Sequence, residues 1–233
     1  MNATKHIAVL GSTGSIGQSA LKVVQAIEGF HLMAISGHQN IAALIEQAIQ
    51  YRPAYVVAAD PSAVDQYVAE GGQLPSIDGT EFLVGAEALD TIATLPQVDT
   101  VLAAIVGVAG LPSTFAAVAA GKRVALANKE SMVVAGHLLT KLAAETGAEI
   151  LPVDSEHSAI FQALKSGRPS EVSRVILTAS GGPFREFSHA DMAEVTVDQA
   201  LAHPTWEMGK KISIDSATMM NNCLLYTSPS PRD

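Results

Sequence analysis

A chain of 233 residues, 48% hydrophobic and 16% charged, is long and apolar enough to bury a sizeable core, which excludes a disordered or fibrous protein. Its net charge of -9, with only 14 Lys and Arg, argues against a nucleic-acid surface, so an anionic ligand must be met by local groups. The single cysteine, Cys223, allows neither an internal disulfide nor a cysteine-rich zinc site and suits a reducing compartment.

The run His6 to Leu10 reads as a first strand, and with only Lys5 and the apolar run Ile7 to Leu10 before the turn at Gly11 the stretch is too short for a signal peptide or a membrane span, so a cytoplasmic protein is expected. Ile16, Ala20, Val23, Val24 and Ile27 then recur at helical spacing and predict an amphipathic helix. Between strand and helix lies Gly11-Ser-Thr-Gly14-Ser-Ile-Gly17. Glycines there permit a tight turn and let a helix N-terminus approach a pyrophosphate, which points to a dinucleotide; a plain turn is the alternative.

Further strands are predicted at residues 32–35, 55–59, 101–105, 124–127 and 150–153, and helices at 41–51, 63–69, 86–93, 112–120 and 133–146. Strands alternating with helices give an α/β fold, a Rossmann-like N-terminal parallel sheet with helices on both faces. Ser36-Gly37-His38-Gln39-Asn40 follows the second strand without an acidic residue to bind a free ribose 2′-hydroxyl, which favours NADPH over NADH; Asn40 equally suits a helix cap. Asn128-Lys129-Glu130-Ser131 follows another strand, where open sheets bind ligands. Lys129 there can meet an anion or a carbonyl, or simply open a helix with Glu130.

Leu151-Pro-Val-Asp154-Ser155-Glu156-His157 ends an apolar stretch with two carboxylates around one hydroxyl. On extended backbone Asp154 and Glu156 point the same way and offer adjacent oxygens to a hard cation; alternatively Asp154 or Ser155 caps a helix. A second domain is expected from Asp154, with a helix near 159–165 and a strand at 172–178. Ser180-Gly-Gly-Pro-Phe-Arg185 has the ingredients of a phosphate nest, His203 to Gly209 those of a lid around the only tryptophan, and Lys210 to Asn221 supplies cations, hydroxyls and an amide. From Cys223 the texture changes to Ser-Pro steps, and residues 223–233 read as foreign sequence.

Taken in this order, Gly11–Gly17, Ala127–Ser131, Asp154–Gln162, Ser180–Arg185 and His203–Asn221 closely resemble the 1-deoxy-D-xylulose 5-phosphate reductoisomerase family. The resemblance implies domains at 1–153 (NADPH-binding) and 154–222 (the beginning of an α+β catalytic domain). The implied reaction is rearrangement of a sugar phosphate and its reduction by NADPH with Mg2+ or Mn2+, in isoprenoid precursor synthesis. Carried over by motif, Asp154 and Glu156 become metal ligands. Lys129 and His203 serve catalysis, and Ser155, Ser180, His203, Ser216 and Asn221 hold substrate. Thr13, Gly14, Ser15, Ile16, Gly37, Asn40, Asn128, Glu130 and Gly209 contact NADPH. The family is homodimeric. Where it continues Met-Met-Asn with Lys-Gly-Leu-Glu, this chain reads Asn222-Cys223-Leu224-Leu225, so poor turnover is expected despite NADPH binding. The competing readings are a non-catalytic nucleotide-binding remnant and an ordinary Rossmann dehydrogenase on another small substrate, with Asp154 and Glu156 merely capping a helix.

Overall fold

The computed structural model describes residues 4–206 and 208–227; Glu207 of the lid-like loop and residues 228–233 of the tail read as foreign lie outside them. The chain divides into two compact units, Met1–Val153 and Asp154–Asp233.

In the first unit β1 (Lys5–Leu10), α1 (Ser15–Ala26), β2 (Phe30–Gly37), α2 (Ile41–Tyr51), β3 (Tyr55–Ala58), α3 (Pro61–Ala69) and β4 (Glu81–Val84) build one half of a sheet. The other half comes from α4 (Glu87–Thr94), β5 (Thr100–Ala103), α5 (Leu111–Ala119), β6 (Arg123–Leu126), α6 (Lys129–Thr146) and β7 (Glu149–Pro152). All neighbouring strands pair in parallel, in the order β4-β3-β2-β1-β5-β6-β7. The chain winds outward from β1 through β4 and then returns to start the opposite half at β5. The direction of winding therefore reverses between β1 and β5, where such sheets bind ligands beyond the strand ends.

Side chains alternate across each strand. Ala8 and Leu10 enter the core that includes Leu89, Ile92, Val118 and Leu139, while Ile7 and Val9 enter the core that includes Leu21, Leu44 and Ala48. Each face of the sheet thus has its own helical cover. Helix starts follow their local chemistry: Asn40 caps α2 through Ala43 N–H at 3.1 Å, and Asp60 caps α3 with Pro61 in its first turn.

Several expectations need correction. The β2 strand extends through Ser36 and Gly37, and β4 is an unexpected edge strand, Glu81-Phe-Leu-Val84, with none of its residues buried. In α1 the buried positions are Gly17 and Leu21, with Ala20 and Val24 partly buried against the same core, whereas Val23 and, just past the helix end, Ile27 are exposed.

In the second unit α7 (Ser155–Lys165) is followed by α8 (Val197–Leu201), α9 (Lys210–Ala217) and α10 (Met220–Thr227). The strand expected at 172–178 does not form. It carries β-branched residues and the apolar run Val175-Ile176-Leu177, but among the described residues no neighbour offers it a ladder, and an unpaired strand leaves its N–H and C=O groups to water. Phe184, Ala200 and Ala217 form a small core with Val195 and Ile214 against them. Among the described residues no helix is long and apolar enough to cross a membrane.

Candidate functional site

In the first unit the glycine turn sits at the point where the winding reverses. Gly11 has φ +84°, and a Cβ there would lie 2.8 Å from the carbonyl oxygen of Ala104 and 3.1 Å from the Ile105 nitrogen. Only a glycine lets the turn after β1 run this close to the backbone after β5. Gly17 is buried in the first turns of α1, and a Cβ on it would strike the backbone of Gly11 and Ser12. Gly14 is the N-cap and offers no side-chain cap, which leaves the first N–H groups of α1 available to an anion. Ser15 and Ile16 stand in that first turn, and Thr13 precedes it with its carbonyl accepting Gln18 Nε2–H at 2.8 Å.

A buried net of polar groups holds this loop, and the sequence reading overlooked it. Gly11 N–H donates to Ser36 Oγ at 3.0 Å, and Ser12 N–H donates to the Ser36 carbonyl at 2.7 Å. Ser12 Oγ donates to Gln47 Oε1 at 2.6 Å while Gln47 Nε2–H returns to the Ser12 carbonyl at 3.0 Å. The available signal was Gln47, a polar residue within the apolar helix of residues 41–51. Gly37 lies against the same loop, since a Cβ on it would come within 3.2 Å of Thr13 Cγ2.

Around the ends of β2 and β3 a cavity of about 460 Å3 is lined by Gln39, Asn40, Asp60, Gln66 and Tyr67 among others. A hydrogen bond from the Ser62 hydroxyl, helped by the Ser62 and Ala63 N–H groups and His38, holds the Asp60 carboxyl below the usual carboxylate range against a smaller effect of burial. Asn40 combines its capping role with a place on this wall.

Asn128 is buried and fully engaged. Its Oδ1 accepts Ser131 N–H at 2.6 Å, and its Nδ2 donates to the carbonyls of Ile105 and, at 2.7 Å, Gly107. It caps α6 and ties that helix start to the loop after β5, so it shapes the ligand end of the sheet from beneath. Lys129 and Glu130 occupy the first turn of α6, which begins at Lys129 rather than at Val133 as expected.

In the second unit the extended backbone assumed for the acidic pair is overturned. Asp154 is the N-cap of α7, and Ser155 and Glu156 already belong to the helix, so the two-residue alternation of a strand no longer aligns the carboxylates. Nor does Asp154 cap with its side chain: Oδ2 lies 3.1 Å from His157 Nδ1. Ser155 Oγ donates to Glu156 Oε2 at 2.6 Å. Among the described residues no group of three or more His, Cys, Asp and Glu side chains is placed to hold a metal. Two hard oxygen donors at one helix start nevertheless fit magnesium, which uses one or two carboxylates and completes its shell with substrate oxygens and water.

Ser180 Oγ and His203 Nε2 are 3.2 Å apart, so the structure brings together two residues that the sequence separates by twenty-three positions. Gly182, with φ +66°, presses on the end of α9: a Cβ there would be 2.5 Å from the Ser216 carbonyl oxygen. The 180–182 loop and buried Ser216 are therefore neighbours. Gly209 is the N-cap of α9 and lacks a side-chain cap. Asn221, in α10, has its buried Oδ1 without a hydrogen-bond partner among the described residues.

Comparison with known proteins decides the family. The family model described as 1-deoxy-D-xylulose 5-phosphate reductoisomerase matches residues 7–136, and that of its C-terminal domain matches residues 150–227. The chain belongs to the 1-deoxy-D-xylulose 5-phosphate reductoisomerase family. The reductoisomerase of Xanthomonas campestris pv. campestris (strain B100) is 52% identical over 225 residues, 96% of this chain and 56% of its own length. That of Oleidesulfovibrio alaskensis is 48% identical over 97% of this chain and 56% of its own. A crystal structure of a reductoisomerase in complex with NADPH, fosmidomycin and magnesium matches with a TM-score of 0.83 at 41% identity, covering 96% of this chain and 57% of that one. The Zymomonas mobilis reductoisomerase in complex with NADPH matches with a TM-score of 0.80 at 42% identity, covering 96% and 56%. The chain thus spans little more than half the length of these relatives.

Proposed function

We propose that this chain carries the NADPH-binding domain, residues 1–153, and the first part of the metal- and substrate-binding domain, residues 154–222, of a reductoisomerase. In this reading the enzyme converts 1-deoxy-D-xylulose 5-phosphate to 2-C-methyl-D-erythritol 4-phosphate for isoprenoid precursor synthesis, in the cytoplasm and as a homodimer. The observation that carries the reading is the Gly11–Gly17 turn, where backbone contacts require glycine at Gly11 and Gly17 and the helix start is left without a side-chain cap. The reductoisomerase structures holding NADPH and magnesium support it.

Bound NADPH supplies the hydride, and a bound magnesium or manganese ion supplies a Lewis acid for charge developing on substrate oxygens. The chain's own residues have separable tasks. The N–H groups at the start of α1 meet the pyrophosphate, with Thr13, Gly37 and Asn40 along the cofactor and Asn128, Glu130 and Gly209 as further contacts. Asp154 and Glu156 hold the metal, Ser155 meets substrate oxygens, and Lys129 neutralises negative charge at the reacting end. Ser180, Ser216 and Asn221 take the phosphate, with His203 beside Ser180.

A second reading, NADPH binding without turnover, is favoured by Leu225, which is apolar and buried where the family motif carries a carboxylate. Titration calorimetry separates the two. Deoxyxylulose phosphate added to the NADPH-loaded chain should give a magnesium-dependent heat that disappears in Asp154→Asn, while NADPH binding persists. Sugar-phosphate binding that ignores both magnesium and Asp154 would refute the metal assignment.

A further inference from the structure

In the second unit one imidazole has both ring nitrogens committed. His203 Nδ1 accepts the backbone N–H of Thr205 at 3.2 Å and that of Trp206 at 3.0 Å. A ring nitrogen that accepts carries no proton, so the proton of the neutral ring is on Nε2, which donates it to Ser180 Oγ at 3.2 Å. Ser180 Oγ also accepts Gly182 N–H at 3.2 Å. Both acceptor positions of that hydroxyl are then filled, and its own hydrogen is left to be donated outward.

From these contacts we infer that His203 is a positioning residue whose Nε2–H tautomer couples the Trp206 turn to the Ser180 hydroxyl. Through Nδ1 the ring closes the turn at residues 203–206, and through Nε2 it makes Ser180 a donor toward an anionic oxygen. The two events share one ring. If Nδ1 were to carry the proton, it would face two backbone donors, and the turn and the orientation of Ser180 would be lost together. Identity of the anion as the substrate's phosphate rests on the function proposed above; the state of the ring does not.

Trp206 is the only tryptophan in the chain and is largely exposed, so its emission reports on the turn. Long-range 15N–1H correlation spectra of the 15N-labelled chain, with the His203 signals assigned by difference from a variant, should show Nδ1 unprotonated and Nε2 protonated. The side-chain oxygen of His203→Asn can replace Nδ1, and the amide of His203→Gln can replace Nε2. The Asn variant should therefore keep the wild-type Trp206 emission and lose inorganic phosphate affinity about tenfold. The Gln variant should shift the emission toward that of free tryptophan and keep phosphate affinity within about threefold. A protonated Nδ1 overturns the inference, as does an equal response of both variants in both readouts. The expected tautomer and emission pattern without any phosphate binding would uphold the ring's coupling role and refute the phosphate reading of the site.

Discussion

Residues 4–153 and 154–227 treat similar apolar segments in opposite ways. The Tyr55–Ala58 segment forms β3 because β2 and β4 offer it a ladder on each side, with Val56 paired to Ile35 and Phe82. The segment from Val172 to Thr178 carries more β-branched residues but has no such neighbour among the described residues, and Val175 and Ile176 stand exposed. Strand formation in this molecule is thus a property of the partner as much as of the segment. The first unit closes two cores around its sheet, whereas the second buries a few side chains around Phe184.

The contrast can be broken by paired truncations. Leu139→Ala, at a fully buried site, should cost about 2–5 kcal/mol in urea unfolding, whereas Ile176→Ala should stay within about 0.5 kcal/mol. A comparable loss from Ile176→Ala would show that the second unit is packed as firmly as the first. Next in size is Gly17→Ala, whose added methyl meets the Ser12 backbone. It should cost about 3 kcal/mol and weaken NADPH binding at least about tenfold. An unchanged melting curve would mean that the turn is not held by this contact.

Asn128→Ala removes a cap and two carbonyl contacts, and a loss of about 2 kcal/mol is expected from the same unfolding measurement. The smallest effect concerns Asp99. The N–H of His6, followed by the charges of Lys5 and His6, holds its carboxyl below the usual range against a smaller effect of burial. Because its pKa is lower folded than unfolded, the stabilisation is complete above the ordinary aspartate value of about 4 and disappears as pH falls through the lowered one. Asp99→Asn should therefore lower the melting temperature by about 1–2 °C at pH 7, with the gap from the parent closing in acid. A gap that widens in acid would contradict this assignment.

Much of the first unit was legible because its signals are local. Periodic apolar residues marked residues 41–51 as a helix, and α2 spans Ile41–Tyr51. Gly11, Gly14 and Gly17 announced a turn whose need for glycine is visible in the contacts at Gly11 and Gly17. The net of Ser12, Ser36 and Gln47 was not legible, since it joins residues far apart in sequence through tertiary folding. At Asp154 the sequence allowed both extended and helical backbone; helix formation at Ser155 changes how the carboxylates are presented without changing which residues stand there. Ser180 and His203 were each readable as polar candidates, but their shared hydrogen bond depends on how the loops fold together.

The most direct measurement is calorimetric titration of NADPH and NADH into the full chain and into its Gly17→Ala variant. One saturable NADPH site per chain is expected, with NADH at least about tenfold weaker and binding severely weakened in the variant. Absence of saturable NADPH binding, or binding indifferent to Gly17→Ala, would contradict the glycine turn as the cofactor site.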